Sequence, residues 1–544
     1  MSMPHSARAR CRTARGDSAE DRVVQLTFDF FSDLPVIVET SAAQLSSDAG
    51  LLPFRQLDQQ IGFTQAFAAV LDDPRAPDQT DHTFTEMTRA RVYGILAGYE
   101  DQNDHDILRA DPVFKLVAGR SPTAEPLASQ PTHSRFENMI NIPSLKRLRD
   151  VFIDQFLASF AEPPRRLTFD FDAVDDPAHG EQQLVLFHGF YEQYQYLPLV
   201  VTCAENDQIV LLSLRPGNVH AALGAEDDLA YLVRRVRAVW HDVIIHIRGD
   251  AGLGMPWMLT MSDRLGVDYS YGLASNAVLK RVSEALLEQA VAAYEQDRQQ
   301  AKQDGRPLPP THRLFDAFWY RAESWPYPRW VIVKAEANAQ GSNRRFILSN
   351  RPGAQVLPEA AYDDYAQRGE SENRNKEFKC GLRMDRLSDH RFVANFFRLY
   401  LHAAALNLLV RMRQVIATPP AVRERALDAL ANPGGDEPQA TPAPSPLQVP
   451  TDNDLSVEAV DLPPEALPEP ARRRYFDRRR RHDPLGEGQP ATWRLLFIKI
   501  AAEVIVSQRR ILVRLSSSWP YLHYFQTVCK RLLNRLQPTS CPTG

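Results

Sequence analysis

Hydrophobic and polar positions divide the chain into stretches of helical and of strand-like periodicity. Apolar residues recur at helical spacing over residues 51–150, with turns rich in Asp, Pro and Asn between the helical stretches. From RRLTFDFDAV onward the period becomes two, through EQQLVLFHGFYEQY, YLPLVVTCAEN and QIVLLSLRPG. The helical DDLAYLVRRVRAVW and the apolar strand DVIIHIRGD follow. This order predicts a helical domain and then an α/β unit.

The second half of the chain mixes both patterns. Residues 251–360 combine the helix ASNAVLKRVSEALLEQAVAAYEQ with the strands RWVIVKAEAN and RRFILSN. A polar helix at YAQRGESENRNKEFK and a long apolar helix at HRFVANFFRLYLHAAALNLLVRMR come next. Residues 417–490 are rich in Pro, Ala, Asp and Glu without periodicity, which predicts a linker or a mobile insertion. A pattern of helix and strand follows the linker.

Composition limits the class of protein. With 544 residues, of which 44% are hydrophobic, the chain is long enough for more than one core. Its five cysteines are scattered, which argues for a reducing compartment and against a zinc site. We find no run of about 18 apolar residues and no signal-peptide pattern, so we expect a soluble cytoplasmic protein without membrane contact. A net charge of −5 does not by itself indicate nucleic-acid binding, although RRRYFDRRRRH at 472–482 is strongly basic.

Carboxylates stand at positions where α/β sheets commonly gather functional groups. Asp172 lies on a predicted strand with Asp170 on the same side, Asp250 follows an apolar strand, and Glu372 lies on the polar helix. Crowded acids repel one another, and Mg²⁺ relieves that repulsion because it prefers carboxylate oxygens. Two such ions can activate a hydroxyl and stabilise a leaving oxygen in phosphodiester chemistry.

Four residues of the polar helix fall on one face. Helical geometry places Tyr365, Arg368, Glu372 and Lys379 within an arc of about 60°. A solvated face with charge pairs is the common reason for such a stripe. The alternative is functional, because Arg368 and Lys379 can hold DNA phosphates and the Tyr365 hydroxyl can orient one.

The stripe also matches a family signature. The sequence resembles the DDE transposases of bacterial insertion sequences whose signature is Y-x-x-R-x-x-x-E-x-x-x-x-x-x-K, and more narrowly insertion-sequence family thirteen-eighty. The narrower resemblance is carried by an ordered set of segments: GYEDQNDHDILRADP, LASQPTHSRFEN, FDFDAVDDPAHGEQQ, YLPLVV, LRPGNVHAA, IRGDAG, ENRNKEFK, DRLSDHRFVANFFRLYLHAAALNLL and RRILVRLSSSWP.

The resemblance implies an α/β fold with an RNase H-like catalytic core, a mixed sheet flanked by helices, interrupted by a β-rich insertion domain and preceded by a helical DNA-binding domain. It implies that Asp172, Asp250 and Glu372 bind two Mg²⁺ ions, with Mn²⁺ as a substitute, and cut and join double-stranded DNA at terminal inverted repeats and target. The implied assembly is a homodimeric synaptic complex in the cytoplasm, associated with the nucleoid. The expected DNA contacts are Tyr365, Arg368, Lys379, Lys376 and Trp330.

The expected organisation is as follows: a weakly ordered lead, 1–50; a helical DNA-binding domain, 51–160; the first part of the catalytic core, 161–254; the insertion domain, 255–360; the second part of the core with the Glu372 helix, 361–416; the linker, 417–490; and a C-terminal region of helix and strand, 491–544.

Several alternatives stay open at this point. Asp172 is preferred to Asp170 as the first acid, but both are candidate metal ligands. Trp319, Trp325 or Trp330 could hold a flipped base if the reaction passes through a DNA hairpin. The first helical domain is either a helix-turn-helix unit with Arg89, Arg91, Lys146, Arg147 and Arg149 on phosphates, or a plain bundle. Alternative functions are an RNase H-like nuclease without strand transfer and a catalytically silent DNA-binding protein.

Overall fold

The structure is a computed structural model, and it describes residues 26–28, 30, 34–178, 180–309, 311–351, 356–416 and 488–535. The arginine run at 472–482 and nearly all of the predicted linker, 417–490, lie outside the described residues.

The N-terminal part is short strands followed by a bundle of helices. The strands are β1 (Leu26–Phe28), β2 (Val36–Val38) and β3 (Leu45–Ser46); the helices are α1 (Leu51–Ile61), α2 (Phe63–Ala69), α3 (Phe84–Ala97), α4 (His105–Leu108), α5 (Pro112–Ala118), α6 (Gln130–Met139) and α7 (Ile142–Leu157). Side-chain caps begin several of these helices: Thr83 accepts from the Glu86 amide at α3, and Asn141 accepts from the Ser144 amide at α7. Helices therefore lie where the periodicity predicts them.

A mixed sheet of eight strands dominates the described chain. Its strands, with the helices between them, are β4 (Arg166–Ala173), β8 (Leu199–Cys203), β9 (Ile209–Ser213), α8 (Ala225–Val239), β10 (Ile244–Gly249), α9 (Pro256–Leu265), β11 (Asp268–Leu273), α10 (Ala277–Val282), α11 (Glu284–Gln303), β12 (His312–Tyr320), β13 (Arg329–Asn338) and β14 (Gly341–Ser349). The spatial order is β12-β13-β14-β11-β10-β4-β8-β9. Strand β10 is parallel to both β4 and β11, and the other pairings are antiparallel.

The expected insertion domain, 255–360, supplies strands to the central sheet. Strands β12, β13 and β14 continue the central sheet, because β14 pairs with β11 from Ser270↔Ser349 to Leu273↔Phe346. A separate small sheet is inserted between β4 and β8, with β5 (Asp176–Pro177), β6 (Leu186–His188) and β7 (Gln193–Tyr196) in the order β5-β7-β6.

The two faces of the central sheet differ in chemistry. Phe169, Phe171 and Ile247 point to one face and pack with α7, α8 and α9 in a buried apolar cluster. The alternating positions Asp170 and Arg248 are also buried but are charged. That second face is covered by α12 (Pro358–Ala366) and α13 (Arg368–Lys376).

A long apolar helix is the centre of the larger core. Helix α14 (Phe392–Ile416) packs on helices of the N-terminal bundle and on α16 (Leu522–Arg535). By length and composition Phe392–Val415 could cross a membrane, but 89% of its most apolar window is buried inside the protein. The last described elements are α15 (Pro490–Trp493), β15 (Ala502–Val506), β16 (Ile511–Leu515) and α16. Strand β15 pairs with β3, so this region closes onto the N-terminal part.

Candidate active site

The first two acids lie side by side at the ends of parallel strands. In the β4–β10 register Arg248 is opposite Asp170 and Gly249 is opposite Phe171, so Asp250, the next residue after β10, comes level with Asp172. The Leu253 amide donates to Asp250 Oδ1 at 3.1 Å and holds that carboxylate at the strand end. This is the edge at which parallel strands place ligand groups.

Helix α13 brings the third acid to the same edge. Burial raises the pKa of Asp172 to about 6; Arg368 and Asn375 lower it, while the nearby carboxylates of Asp250 and Glu372 raise it. Asp250 and Glu372, which are far from Asp172 in the sequence, therefore both disfavour the ionised form of Asp172 in the folded chain.

Arg368 is the counter-charge within this group. Its Nη1 lies 3.6 Å from Asp172 Oδ2, and its Nη2 lies 2.5 Å from Glu372 Oε1. The Glu372 side chain is 58% exposed and that of Asp172 is 15% exposed, so Arg368 joins a buried acid to a solvated one. The guanidinium offsets part of the repulsion among the acids.

Tyr365 lies against the strand that follows Asp250. A Cβ added to Gly272 of β11 would meet the Tyr365 hydroxyl at 2.9 Å and the Ala251 backbone nitrogen at 2.7 Å. Only glycine permits this close approach, which places the Tyr365 ring beside the turn that holds Asp250.

Sequence reasoning missed Asn375, which donates from Nδ2 to Asp172 Oδ2 at 2.8 Å. It is three residues after Glu372, and residues three apart share a helix face, so helical spacing within ENRNKEFK was the available signal. Thr202 of β8 and Ser371 form a buried hydroxyl pair at 3.1 Å that docks the same helix on the sheet.

Asp170 has a different environment from Asp172. Its two oxygens accept from Arg248 Nε at 2.6 Å and Nη2 at 2.7 Å, and both side chains are almost fully buried. As placed, the Asp170 carboxylate is committed to Arg248 rather than to the acid group at the strand ends. Asp172, and not Asp170, thus lies with Asp250 and Glu372 in the structure, and its role as the first acid stays a prediction.

Asp364 on α12 extends this ionic layer as a partly exposed member, and no local sequence pattern predicts it. Its Oδ2 lies 3.0 Å from Arg166 Nη2 and 2.8 Å from Arg351 Nη2. Arg248 Nη1 donates to the Asp364 carbonyl at 2.6 Å. Burial acts to raise the pKa of Asp364, but His246, Arg166 and Arg351 together hold that pKa at about 2. The network fixes α12, and with it Tyr365, on the polar face.

The predicted stripe is interrupted in the structure. Helix α12 ends at Ala366 and α13 begins at Arg368, and Glu377–Gly381 then forms a wider π-helical turn. Lys379 lies in this turn and its Nζ is 2.8 Å from Asp175 Oδ2, rather than over Glu372. The prediction that Lys379 continues the stripe was wrong, because the π-helical turn changes the angle between successive side chains. Lys376 is exposed on α13.

Other candidate DNA contacts are placed unequally. Trp330 is 8% exposed and packs in a small core cluster with Tyr362, whereas Trp319 on β12 is 46% exposed. Trp325 is 5% exposed. Trp330 as placed cannot offer its ring to a base, and Trp319 is the accessible one of these tryptophans.

The basic residues of the first helices also separate. Arg91 is 1% exposed and pairs with buried Glu137 at 2.9 Å, so as placed it is unavailable to phosphate. Arg89 donates to Thr64, and Arg147 forms an ion pair with Asp72. The Arg149 guanidinium lies 3.5 Å from the centroid of the Tyr231 ring. Lys146 is exposed.

The acid group fits a hard divalent cation by donor type. Asp172, Asp250 and Glu372 supply only oxygen donors, and their mutual effect on Asp172 is one that a cation would relieve. Among the described residues, no three His, Cys, Asp or Glu side chains converge closely enough to hold an ion as they stand. Glu372 points to Arg368, so binding an ion would require Glu372 to leave that guanidinium.

The family model of the transposase DDE domain, group 1, matches residues 28–431, which is well over half of the chain. The chain belongs to this DDE transposase family. The matched range includes Asp172, Asp250 and Glu372. This DNA transposase is therefore a nuclease-type enzyme of a generally divalent-metal-dependent class.

Among solved structures, the transposase is similar to the piggyBac transposase in a cryo-EM synaptic complex with hairpin DNA. The two are 13% identical with a TM-score of 0.33, covering 68% of this chain and 77% of that chain. No curated protein matches the transposase.

Proposed function

We propose that this transposase cuts DNA at the terminal inverted repeats of a bacterial insertion sequence of family thirteen-eighty and joins the ends to target DNA. The proposed reaction is cut-and-paste transposition on an RNase H-like core, in a cytoplasmic, nucleoid-associated homodimer. The observation that carries it is that Asp172 and Asp250 come level at the ends of parallel strands β4 and β10, while Arg368 links Asp172 to Glu372 on the covering helix.

Each nearby side chain has a role that its contacts support. Two Mg²⁺ ions bound by the three acids would activate the attacking hydroxyl and stabilise the leaving oxygen. Asn375 holds the Asp172 carboxylate in place through its 2.8 Å hydrogen bond. Arg368 holds Glu372, and if Glu372 turned to a bound ion, the guanidinium would be free to neutralise a DNA phosphate. Lys379 is a second phosphate contact, competing with Asp175.

The test is strand cleavage by Glu372→Gln on a duplex that carries the element's end. Cleavage should be lost while end binding persists, because Glu372 is exposed and the glutamine keeps an amide oxygen that can accept from Arg368. Glu370→Gln, on the same helix and also exposed, is the matched control and should cleave normally. Metal-dependent cleavage by Glu372→Gln at the wild-type rate would contradict the assignment.

A nuclease without strand transfer would share all three acids, so only the joining step separates it from a transposase. The cleaved end and a supercoiled target should give a joined product with the wild-type chain. Cleavage without any joined product would favour the nuclease.

A further inference from the structure

A β-hairpin beside the acid group presents a cluster of exposed aromatic rings. It is formed by β6 and β7, and its exposed side chains are Phe187 (51%), Phe190 (83%), Tyr191 (37%) and Tyr194 (61%). Ring contacts join Phe187 to Tyr194 at 5.5 Å and Phe190 to Tyr191 at 5.1 Å between centroids. Such a patch on a protein surface usually marks an interaction site, because apolar rings in water are unfavourable.

The base of this aromatic hairpin is firmly held, although its tip is open. The Gly217 amide donates to the Leu184 carbonyl at 3.1 Å, and a Cβ at Gly217 would clash with the Gln195 carbonyl at 1.8 Å. The Tyr196 hydroxyl donates to the Gln183 carbonyl at 2.7 Å. The tip closes through the Glu192 amide to the His188 carbonyl at 2.8 Å, with Glu192 at a positive φ of 54°. The rings are therefore carried on a positioned element.

The aromatic hairpin lies next to the acids through two connections. Strand β7 pairs with β5, where Asp176 is opposite Tyr196, and β5 begins only four positions after Asp172. Gln193 of β7 donates to Asp175 Oδ2 at 3.2 Å, and Asp175 in turn holds Lys379. Burial raises the pKa of Tyr191, and the carboxylates of Asp175, Asp250 and Asp172 raise it further. Tyr191 thus lies within electrostatic reach of the acid group.

We propose that the aromatic hairpin binds unstacked DNA bases next to the phosphodiester that lies at Asp172 and Asp250, with Phe190 as the leading ring. This inference rests on the proposed function. A phosphodiester at the acids brings its neighbouring bases to this side of the sheet, and aromatic rings stack on any base regardless of sequence. The tip segment LFHGFYEQY has a single acidic residue and no Lys or Arg, so it suits base faces rather than phosphates.

The experiment compares two DNA probes of equal length with the full chain in EDTA. One is a fully paired duplex, and the other has mismatched bases at its end with 2-aminopurine among them. The wild-type chain should prefer the mismatched end and change its 2-aminopurine fluorescence. Phe190→Ala should lose about tenfold in affinity for the mismatched probe, as expected for one lost stacking contact, with little change on the paired probe.

Phe190→Trp should retain the preference, because it keeps an aromatic face. Val239→Ala is the control, since Val239 is 56% exposed and ends α8, which packs on the apolar face of the sheet. Equal affinities of Phe190→Ala and wild type on both probes would overturn the proposal. So would a Phe190→Ala defect confined to self-association in sedimentation, which would assign the aromatic hairpin to a second copy of the chain. Failure of the proposed function would appear separately, as normal cleavage by Glu372→Gln.

Discussion

Asp170 and Asp172 are two residues apart on one face of β4, yet their surroundings differ completely. Asp170 is matched by Arg248, whose guanidinium occupies both carboxylate oxygens. Asp172 has one amide donor and an arginine at 3.6 Å, and faces Asp250 and Glu372. The inner layer is therefore compensated, and the outer group is left with excess negative charge.

The same contrast holds on the neighbouring strand and on the covering helices. On β10, Arg248 belongs to the inner layer, and Asp250 after it belongs to the outer group. On the helices, Asp364 belongs to the inner layer and Glu372 to the outer group. A layer of compensated ion pairs gives a fixed platform, because removing one partner leaves a charge without its counter-charge. A group of acids with excess negative charge can bind a cation, and a bound cation can in turn contact a phosphate. On both strands, the residue of the compensated layer therefore lies two positions before the residue of the acid group.

The largest effect should come from Asp172→Asn. Cleavage should fall below detection, because an amide is a poorer ligand for a hard cation than a carboxylate. Stability should not fall: the pKa of Asp172 is about 6 when folded, above the ordinary 3.8, so its ionised form opposes folding at neutral pH. Cleavage assays and urea unfolding in EDTA measure the two results. A large loss of stability in Asp172→Asn would show that Asp172, like Asp170, has a stabilising ion pair in the folded protein.

Asp170→Asn should have the opposite outcome. Burial raises the pKa of the Asp170 carboxyl as it does that of Asp172, but the fully buried Arg248 guanidinium depends on the Asp170 carboxylate for its charge partner. Loss of that bidentate partner should lower the free energy of unfolding by about 3–5 kcal/mol. Residual cleavage, corrected for the folded fraction, should exceed that of Asp172→Asn by far. Urea unfolding of both variants in one buffer makes the comparison, and equal stabilities would remove the distinction between the two aspartates.

Asp364→Asn tests whether the compensated layer positions the acid group. The amide cannot pair with Arg166 and Arg351 together, so α12 should be less firmly held. Cleavage should fall about 10–100-fold, as for loss of an outer-shell partner, with DNA affinity nearly unchanged. Asp364→Glu should recover part of the rate, and Glu359→Gln, exposed on the same helix, should have no effect. A defect in stability alone, without a rate effect in the folded protein, would limit Asp364 to a structural role.

Sequence patterns predicted some of this arrangement and not the rest, for physical reasons. Period-two alternation and the motif supplied Asp172, Asp250 and Glu372, because strand ends and helix faces follow local rules. The partners of those acids depend on packing between distant elements. Asp364 meets Arg166 across 198 positions of sequence, and no local pattern reports such a pair. The aromatic hairpin appeared only as strand-like sequence, since exposure is decided by what the fold leaves uncovered. The π-turn around Lys379 likewise depends on buried Glu377 and its pairs with Arg374 and Arg413.

Lys379→Ala should have the smallest effect and tests the edge of the outer group. If Lys379 leaves Asp175 to contact a DNA phosphate, its loss should reduce the slope of log affinity against log salt by about one. The change in DNA affinity at a single salt concentration should be modest. Lys379 must give up its ion pair with Asp175 to contact a phosphate, so the net gain from that contact is small. Lys302→Ala on α11, an exposed lysine on another element, is the control and should keep the wild-type slope. Equal slopes for Lys379→Ala and wild type would leave Lys379 only as the ion-pair partner of Asp175. Lys379 would then not be a DNA contact of the active site.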